Sequence, residues 1–142
     1  WVFRRNQQPI ASDPPIKYAN SLLDQATAQA NMQRVESLMQ EEKVFLDPKL
    51  SLVKLSQRLG ISRKVLSQSI NQMTASNYSK YVAGLRVAEA KRLLRSPDHQ
   101  HLKIAAIGHA SGFNSLSSFN ATFKDLTGIT PLRYQKKLVN GQ

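Results

Sequence analysis

The sequence predicts an all-α protein in which two helix-turn-helix lobes are joined by a long linking helix, with one more helix before them. Three observations support this fold class. Apolar residues recur at helical spacing along residues 24–139, no segment alternates as a β-strand does, and a short helix–glycine–helix pattern occurs twice, around Gly60 and around Gly112.

We predict that the first 23 residues form a linker whose first part resembles a juxtamembrane segment. The chain starts with Trp1 rather than Met, so we interpret it as part of a longer protein. The segment 6–16 contains three prolines, which is typical of a linker. Residues 1–5 (WVFRR) fit either an exposed chain end or the cytoplasmic end of a transmembrane helix, with an aromatic residue at the interface and arginines after it.

Residues 24–47 predict an N-terminal helix, over about 24–43. Asp24 is a suitable N-cap, and Met32, Val35 and Met39 form an apolar stripe at helical spacing. The net charge of this helix is zero or slightly negative, so we do not expect it to bind DNA. We expect the stripe to pack on the first lobe or to pair with a second copy of the chain as a homodimer.

The remaining residues, 48–142, divide into two similar lobes. Apolar residues lie eight and five positions before each glycine, namely Leu52 and Leu55 before Gly60, and Ile104 and Ile107 before Gly112. After the glycine, the apolar spacing of the two lobes also agrees, apart from one extra residue in the second turn. The pattern predicts a first lobe at about 48–75, a linking helix at about 77–94 and a second lobe at about 103–139. Two ordinary helical hairpins in a bundle are the alternative.

The net charge of +11 is confined to these lobes. Residues 1–47 hold five basic and six acidic residues, whereas residues 48–142 hold fifteen basic and three acidic ones, which gives net charges of −1 and +12. Charge that served only solubility would be spread over both parts. The basic part therefore indicates a polyanionic partner, and a helix-turn-helix gives that charge the geometry to bind double-stranded DNA.

The residue content argues against an enzyme. The 142 residues include no cysteine, no glycine-rich phosphate loop and no nucleophile elbow. We interpret His99 and His101 as solvated residues of a connector, and His109 as a structural residue of a short helix. We expect no catalytic residue, no cofactor, no metal and no small-molecule site in this fragment.

The motifs resemble those of AraC/XylS-type transcription regulators. The second lobe carries the resemblance in Gly112-Phe113-Asn114-Ser115, Phe119, Phe123-Lys124, Gly128, Thr130-Pro131 and Tyr134, and the linking helix does so in Arg86-Val87 and Ala90-Lys91-Arg92-Leu93-Leu94. The resemblance covers about residues 48–137. It implies a seven-helix, two-lobed domain, with two recognition helices in successive major grooves, that regulates transcription as an activator. Some members of the family follow transmembrane sensor regions.

The sequence departs from the family pattern at a few positions. Ala121 stands where Arg is common, which weakens the case for strong base contact by the second lobe. Gly108 stands where Ala is usual, which we expect to be a minor change costing about 1 kcal/mol of helix stability. Gln135-Lys136-Lys137 stands where Arg commonly follows the tyrosine.

Helical phase predicts which residues contact DNA. With Ser62 and Ser115 as N-caps, two helices present outward faces, and their candidate base contacts are Lys64, Ser67, Gln68, Leu116, Ser117 and Asn120. Lysine suits guanine, glutamine and asparagine suit adenine, and Leu116 suits a thymine methyl, unless Leu116 packs on its own lobe instead. The candidate backbone contacts are Ser62, Arg63, Arg58, Arg86, Ser115, Lys124 and Thr130. Because the second face is almost uncharged, we expect the first lobe to discriminate more.

The expected partner is double-stranded DNA, with RNA polymerase as a further candidate and a homodimer through residues 24–43 as another. We expect the protein at the nucleoid in the cytoplasm, with a tether to the inner membrane through residues upstream of Trp1 as an open alternative. A basic helical module that binds an anionic membrane or a protein partner is the competing function. Dispersal of the basic residues over several helices favours DNA.

Overall fold

The computed structural model describes residues 23–141, and in this range it is all-helical, as predicted. The expectations for residues 1–22, a linker and a juxtamembrane-like start, lie outside the described residues. A π-helical turn at Leu38–Glu42 and 3₁₀ turns at Val44–Leu46 and Pro97–His99 connect some of the helices. The α-helices are α1 (Gln25–Ser37), α2 (Leu52–Leu59), α3 (Arg63–Thr74), α4 (Tyr78–Arg95), α5 (Ile104–Ala110), α6 (Leu116–Thr127) and α7 (Pro131–Val139).

The helices of both lobes begin at the predicted caps. The Ser62 hydroxyl accepts a hydrogen bond from the Val65 amide at 3.2 Å, and Ser115 accepts one from the Ser118 amide at 3.1 Å. Each cap satisfies a backbone donor that the first turn of a helix leaves unpaired. These contacts fix where α3 and α6 start, and hence which side chains point outward.

The described residues divide into two compact units, and each draws on two separate stretches of chain. Unit 1 comprises residues 23–37 and 52–78, and unit 2 comprises residues 38–51 and 79–141. We expected residues 24–47 to form one N-terminal segment, whose helix packs on the first lobe or pairs with a second copy. The structure instead assigns α1 to unit 1 and the segment after Ser37 to unit 2.

In unit 1, α1 packs against α3, which confirms the expectation that this helix lies on the first lobe. Met32 and Val35 of the predicted stripe are buried, and so is Ala28. Two side-chain hydrogen bonds also connect α1 to the rest of unit 1. The Asn31 side-chain amide donates to the Ser69 hydroxyl at 3.1 Å, and the Arg34 guanidinium donates to the Leu59 carbonyl at 2.7 Å. The α1 helix is therefore an integral part of the first lobe.

In unit 2, an aromatic series forms the centre of the core. The ring centroids of Phe113 and Phe119 are 5.0 Å apart, those of Phe119 and Phe123 are 5.7 Å apart, and those of Phe123 and Tyr134 are 5.5 Å apart. Aromatic pairs at these distances contribute more than their buried area alone. Aliphatic residues complete this core: Val87, Ala90, Leu93, Leu94 and Ile107.

Gly108 brings α5 against this aromatic core. A Cβ atom at Gly108 would lie 2.5 Å from Cδ2 of Phe119 and 3.0 Å from its Cβ. The expectation that this glycine is a minor departure from the family pattern was wrong, because here the missing side chain makes room for a buried ring.

Within unit 2, one arginine binds the segment that follows α1. Phe45 is only 7% exposed, and its carbonyl accepts a hydrogen bond from Nε of Arg86 at 2.7 Å. A terminal nitrogen of Arg86 also donates to the Asp47 carbonyl at 2.9 Å. Gly112, with φ of +99°, lies so close that a Cβ atom there would be 2.5 Å from the Phe45 oxygen. The second turn glycine therefore also permits a close approach of two chain segments.

Two apolar residues of α4 and α6 are exposed. Leu126, near the end of α6, is 46% exposed, because α6 ends one residue later and Gly128 reverses the chain. Ala88 is exposed, whereas Val82, Val87 and Ala90 of the same helix are buried.

Candidate nucleic-acid interface

In unit 1, the start of α3 presents a cationic surface. Arg63 and Lys64 follow the Ser62 cap directly, and both are exposed. Ser67, one turn further, is half-buried, and Asn71 is exposed. A lysine and an arginine on the first turn of a helix can reach guanine acceptors and phosphate oxygens in a major groove.

Gln68 does not belong to this surface, and its prediction as a base contact was wrong. Its side chain is 4% exposed, and it lies next to Ser69 and Ile70, which are fully buried. Three consecutive buried residues cover more than half of a helix circumference, because each residue turns the helix by about 100°. The prediction counted only apolar residues as buried, whereas polar positions of α3 are also covered where α1 packs, as the Asn31–Ser69 contact indicates.

In unit 2, the outward face of α6 forms a shallow concave surface. Leu116 is 46% exposed, so it does not pack on its own lobe as in the alternative interpretation. Ser117 and Ala121 are exposed, and Asn120 is half-buried. We name this concavity the α6 surface, and it is lined by Leu116, Ser117, Asn120, Ala121, Lys124 and Thr130.

The α6 surface includes one residue that was not proposed as a contact. Ala121 was noted only because arginine is common at this position in the family. In the structure its side chain lines the concavity. Its position four residues after Ser117 and next to Asn120 is the sequence signal that it shares their face.

The start of α7 lies at Thr130, one of the predicted backbone contacts. The hydroxyl of Thr130 caps α7 by accepting from the Arg133 amide at 3.2 Å, with Pro131 at the first helical position. Lys124 is exposed at the edge of the α6 surface. Arg58 lies exposed near the end of α2, on the other lobe.

Two arginines of α4 form contacts within the protein. Arg86 was predicted to bind the DNA backbone, and this was wrong, because it is half-buried and donates to the carbonyls of Phe45 and Asp47. Arg92 forms a two-pronged ion pair with Glu89, at 2.8 and 2.9 Å. The hydrogen bond from Arg92 lowers the pKa of the Glu89 carboxyl. No local spacing indicated the Arg86 contacts, since its partners lie about 40 residues earlier in the chain.

Residues 23–141 contain no group of three His, Asp or Glu side chains placed to hold a metal ion. His99 contacts the Ser96 hydroxyl through Nδ1 at 3.1 Å, and His101 and His109 are exposed. None of the helices in this range is both long and apolar enough to cross a lipid bilayer.

Two N-capped helices that follow left-handed glycines and turn an exposed face outward define a DNA-binding helix-turn-helix protein. The profile of the helix-turn-helix domain family matches residues 55–137, which is more than half of the chain. The chain therefore belongs to this family, and its relatives place it in the AraC type.

Several known proteins are similar to this chain. The HTH-type transcriptional activator Btr of Bacillus subtilis is 29% identical over 120 residues, which is 84% of this chain and 22% of Btr. An AraC-type transcriptional regulator structure from Chromobacterium violaceum is 28% identical with a TM-score of 0.65, over 79% of this chain and 95% of that one. The DNA-binding domain of AdpA, solved with a target DNA, shares the fold with a TM-score of 0.66 at 19% identity, over 79% and 96%. The chain spans less than a third of the length of the curated relatives that it matches.

Proposed function

We propose that this chain binds duplex DNA at a specific sequence and regulates transcription, with α3 and α6 each entering a major groove. The observation that carries the proposal is the paired geometry. Two helices begin at serine caps after a positive-φ glycine, with φ of +67° at Gly60 and +99° at Gly112, and both expose residues able to contact base edges. The +12 charge of residues 48–142 supplies the attraction to phosphate.

The two helices take different roles in this proposal. On α3, Lys64 donates to guanine, Ser67 contacts a neighbouring base edge and Arg63 binds phosphate. On α6, Asn120 and Ser117 contact base edges. Because Gln68 is buried, the first lobe lacks the residue that was expected to contact adenine. The expectation that this lobe discriminates more between bases therefore has less support. We therefore assign adenine contact to the second lobe.

Backbone contacts complete the proposed interface. The helix starts at Ser62, Ser115 and Thr130 offer amide donors to phosphate oxygens, and Arg58 and Lys124 offer side-chain cations. If six phosphates are neutralised, the logarithm of the affinity should fall with the logarithm of salt concentration with a slope of about −5. A flat salt response would contradict DNA as the partner.

Selection of bound duplexes from a random DNA pool tests the function directly. We expect one site with two boxes about one helical turn apart. Lys64→Ala should relax one position of the first box, at a cost of about 1–3 kcal/mol. Asn120→Ala should do the same in the second box. Flotation with anionic liposomes at the same salt concentration serves as the comparison, because the competing membrane module would bind vesicles and select no sequence.

Finer features of the function are also proposals. Relatives named as transcriptional activators support activation, with RNA polymerase as the second partner. In vitro transcription from the selected site tests this, and repression or no effect would contradict it. Location at the nucleoid follows from DNA binding. A tether to the inner membrane through residues upstream of Trp1 requires the membrane fraction to retain the longer protein.

A homodimer through residues 24–43 would have to use the polar side of α1. The apolar residues Ala28, Met32 and Val35 are buried within unit 1, whereas Gln29 and Gln33 are exposed. Sedimentation equilibrium of the chain measures the mass. A monomer mass at concentrations that saturate the DNA site would overturn the dimer, and a dimer should dissociate in the variant Gln29→Glu/Gln33→Glu.

A further inference from the structure

We propose that the α6 surface binds thymine methyl groups, so that the box contacted by the second lobe is specified by methyl contact together with one adenine contact. This inference rests on the proposed function, since it names the bases that α6 reads. Its first support is the chemistry of the α6 surface. Of its six lining residues only Lys124 is charged, and the exposed side chain of Leu116 is apolar.

The arrangement of these residues matches a thymine–adenine edge. Leu116 and Asn120 lie four residues apart on α6, as do Ser117 and Ala121, so each pair shares one face of the helix. An apolar and a polar side chain therefore alternate across the concavity. In the major groove, thymine offers a methyl group beside the O4 acceptor, and adenine offers the donor–acceptor pair that an asparagine side chain complements. Guanine offers only acceptors and suits a cationic side chain better.

The first lobe provides an internal comparison. When the two N-caps are aligned, Arg63 and Lys64 of α3 correspond to Leu116 and Ser117 of α6. The first two residues of α3 are thus cationic, whereas those of α6 are an apolar leucine and an uncharged serine. Because both helices belong to one DNA-binding domain, this difference predicts a site whose two boxes differ in composition, with thymines in the box read by α6.

The charges at the edge of the α6 surface favour DNA over an acidic protein as its occupant. Lys124 lies four residues after Asn120, at the end of the concavity away from Leu116, where its ammonium group can reach a phosphate. An acidic peptide of several charges would find one cation on this lining. A nucleic-acid edge needs only a phosphate contact at the rim and uncharged contacts inside.

The test uses the whole chain and the duplex obtained by selection. Each thymine of the second box is replaced in turn by deoxyuridine, which removes the 5-methyl group and leaves the base pairing intact. Since one buried methyl-sized group contributes about 0.8 kcal/mol, we expect at least one replacement to weaken binding about threefold to fourfold. Fluorescence anisotropy at fixed salt measures the ratio of affinities for the two duplexes.

Substitution of the protein identifies the side chain that senses the methyl group. In Leu116→Ser, the affinities for the thymine and uracil duplexes should become equal within error. Leu132→Ser is the matched control, because Leu132 belongs to the same unit, is 48% exposed and does not line the α6 surface. This control should keep the full threefold to fourfold ratio. Circular dichroism checks that both variants remain folded.

The outcomes separate the inference from the function on which it rests. If a specific duplex is bound but no uracil replacement in the second box changes its affinity, the inference is overturned while the proposed function stands. If Leu116→Ser leaves the thymine-to-uracil ratio unchanged, the side chain of Leu116 does not sense the methyl group, and the inference is overturned. If no specific duplex is selected, the proposed function itself fails.

Discussion

Replacing Gly108 with alanine should destabilise the protein, although alanine is the better helix former. Two opposing effects, helix propensity and steric overlap, determine the change in the free energy of unfolding. Gly→Ala in a helix interior gains about 1 kcal/mol. Against this, the new Cβ would lie 2.5 Å from Cδ2 and 2.7 Å from Cγ of Phe119. Phe119 is fully buried and held between two other aromatic rings, so it cannot move away without disturbing them.

Forced overpacking of a core costs about 1–3 kcal/mol. We therefore expect Gly108→Ala to lower the free energy of unfolding by about 0–2 kcal/mol. Gly84 supplies the matched control, because it lies inside α4 and a Cβ there would meet no atom within 4 Å. Gly84→Ala should raise the free energy of unfolding by about 1 kcal/mol, since only the helix-propensity term applies.

Urea denaturation followed by circular dichroism compares the two variants. The difference between them, about 1–3 kcal/mol, is the quantity of interest, because the propensity gain cancels from it. A double variant with Phe119→Leu adds a check, since a smaller side chain should relieve part of the cost of Gly108→Ala. If Gly108→Ala is as stable as Gly84→Ala, the close packing of α5 on Phe119 is not a constraint and the reasoning is refuted.

Three further predictions concern contacts within unit 2. Arg86→Lys should cost about 1.5–3 kcal/mol of stability, because it keeps the charge and loses the two-pronged contact with backbone carbonyls, and chemical denaturation should show it. Gly112→Ala should destabilise more than Gly60→Ala in the same assay, because both have positive φ but only Gly112 has atoms within 4 Å of an added Cβ. Glu89→Gln should lower the melting temperature slightly at neutral pH. Because the pKa of Glu89 is lowered in the folded state, its stabilising contribution is present above the ordinary glutamate pKa and is lost as pH falls through the lowered value. Melting curves should therefore converge in acid, and a constant gap at all pH values would contradict the role of the Arg92 ion pair.

The features that the sequence predicted correctly are local ones. Ser62 and Ser115 cap helices because a hydroxyl three residues before an amide needs nothing else from the fold. The turn glycines follow the same logic, since a left-handed backbone is a property of one residue. The helix-turn-helix class follows from such local signals repeated in order.

The features that it missed depend on residues distant in the chain. Gln68 is buried on a helix face that local apolar spacing does not mark. Arg86 resembles any surface arginine until Phe45 and Asp47 are brought beside it. The division between the two units after Ser37 was missed for a related reason. Met39 continues the apolar stripe through the π-helical turn, so the spacing shows no break where the chain passes from one unit to the other.

That crossing after Ser37 has a consequence for engineering the specificity of the protein. The chain enters unit 2 at residues 38–51, returns to unit 1 at Leu52 and leaves it again after Tyr78. A graft that joined one relative's first lobe to another's second lobe at a single junction near residue 78 would carry the wrong Phe45 segment into the second core. A working chimaera needs three junctions, at 37/38, 51/52 and 78/79. Libraries of new DNA specificities should therefore exchange the exposed positions of α3 and α6 on one intact backbone.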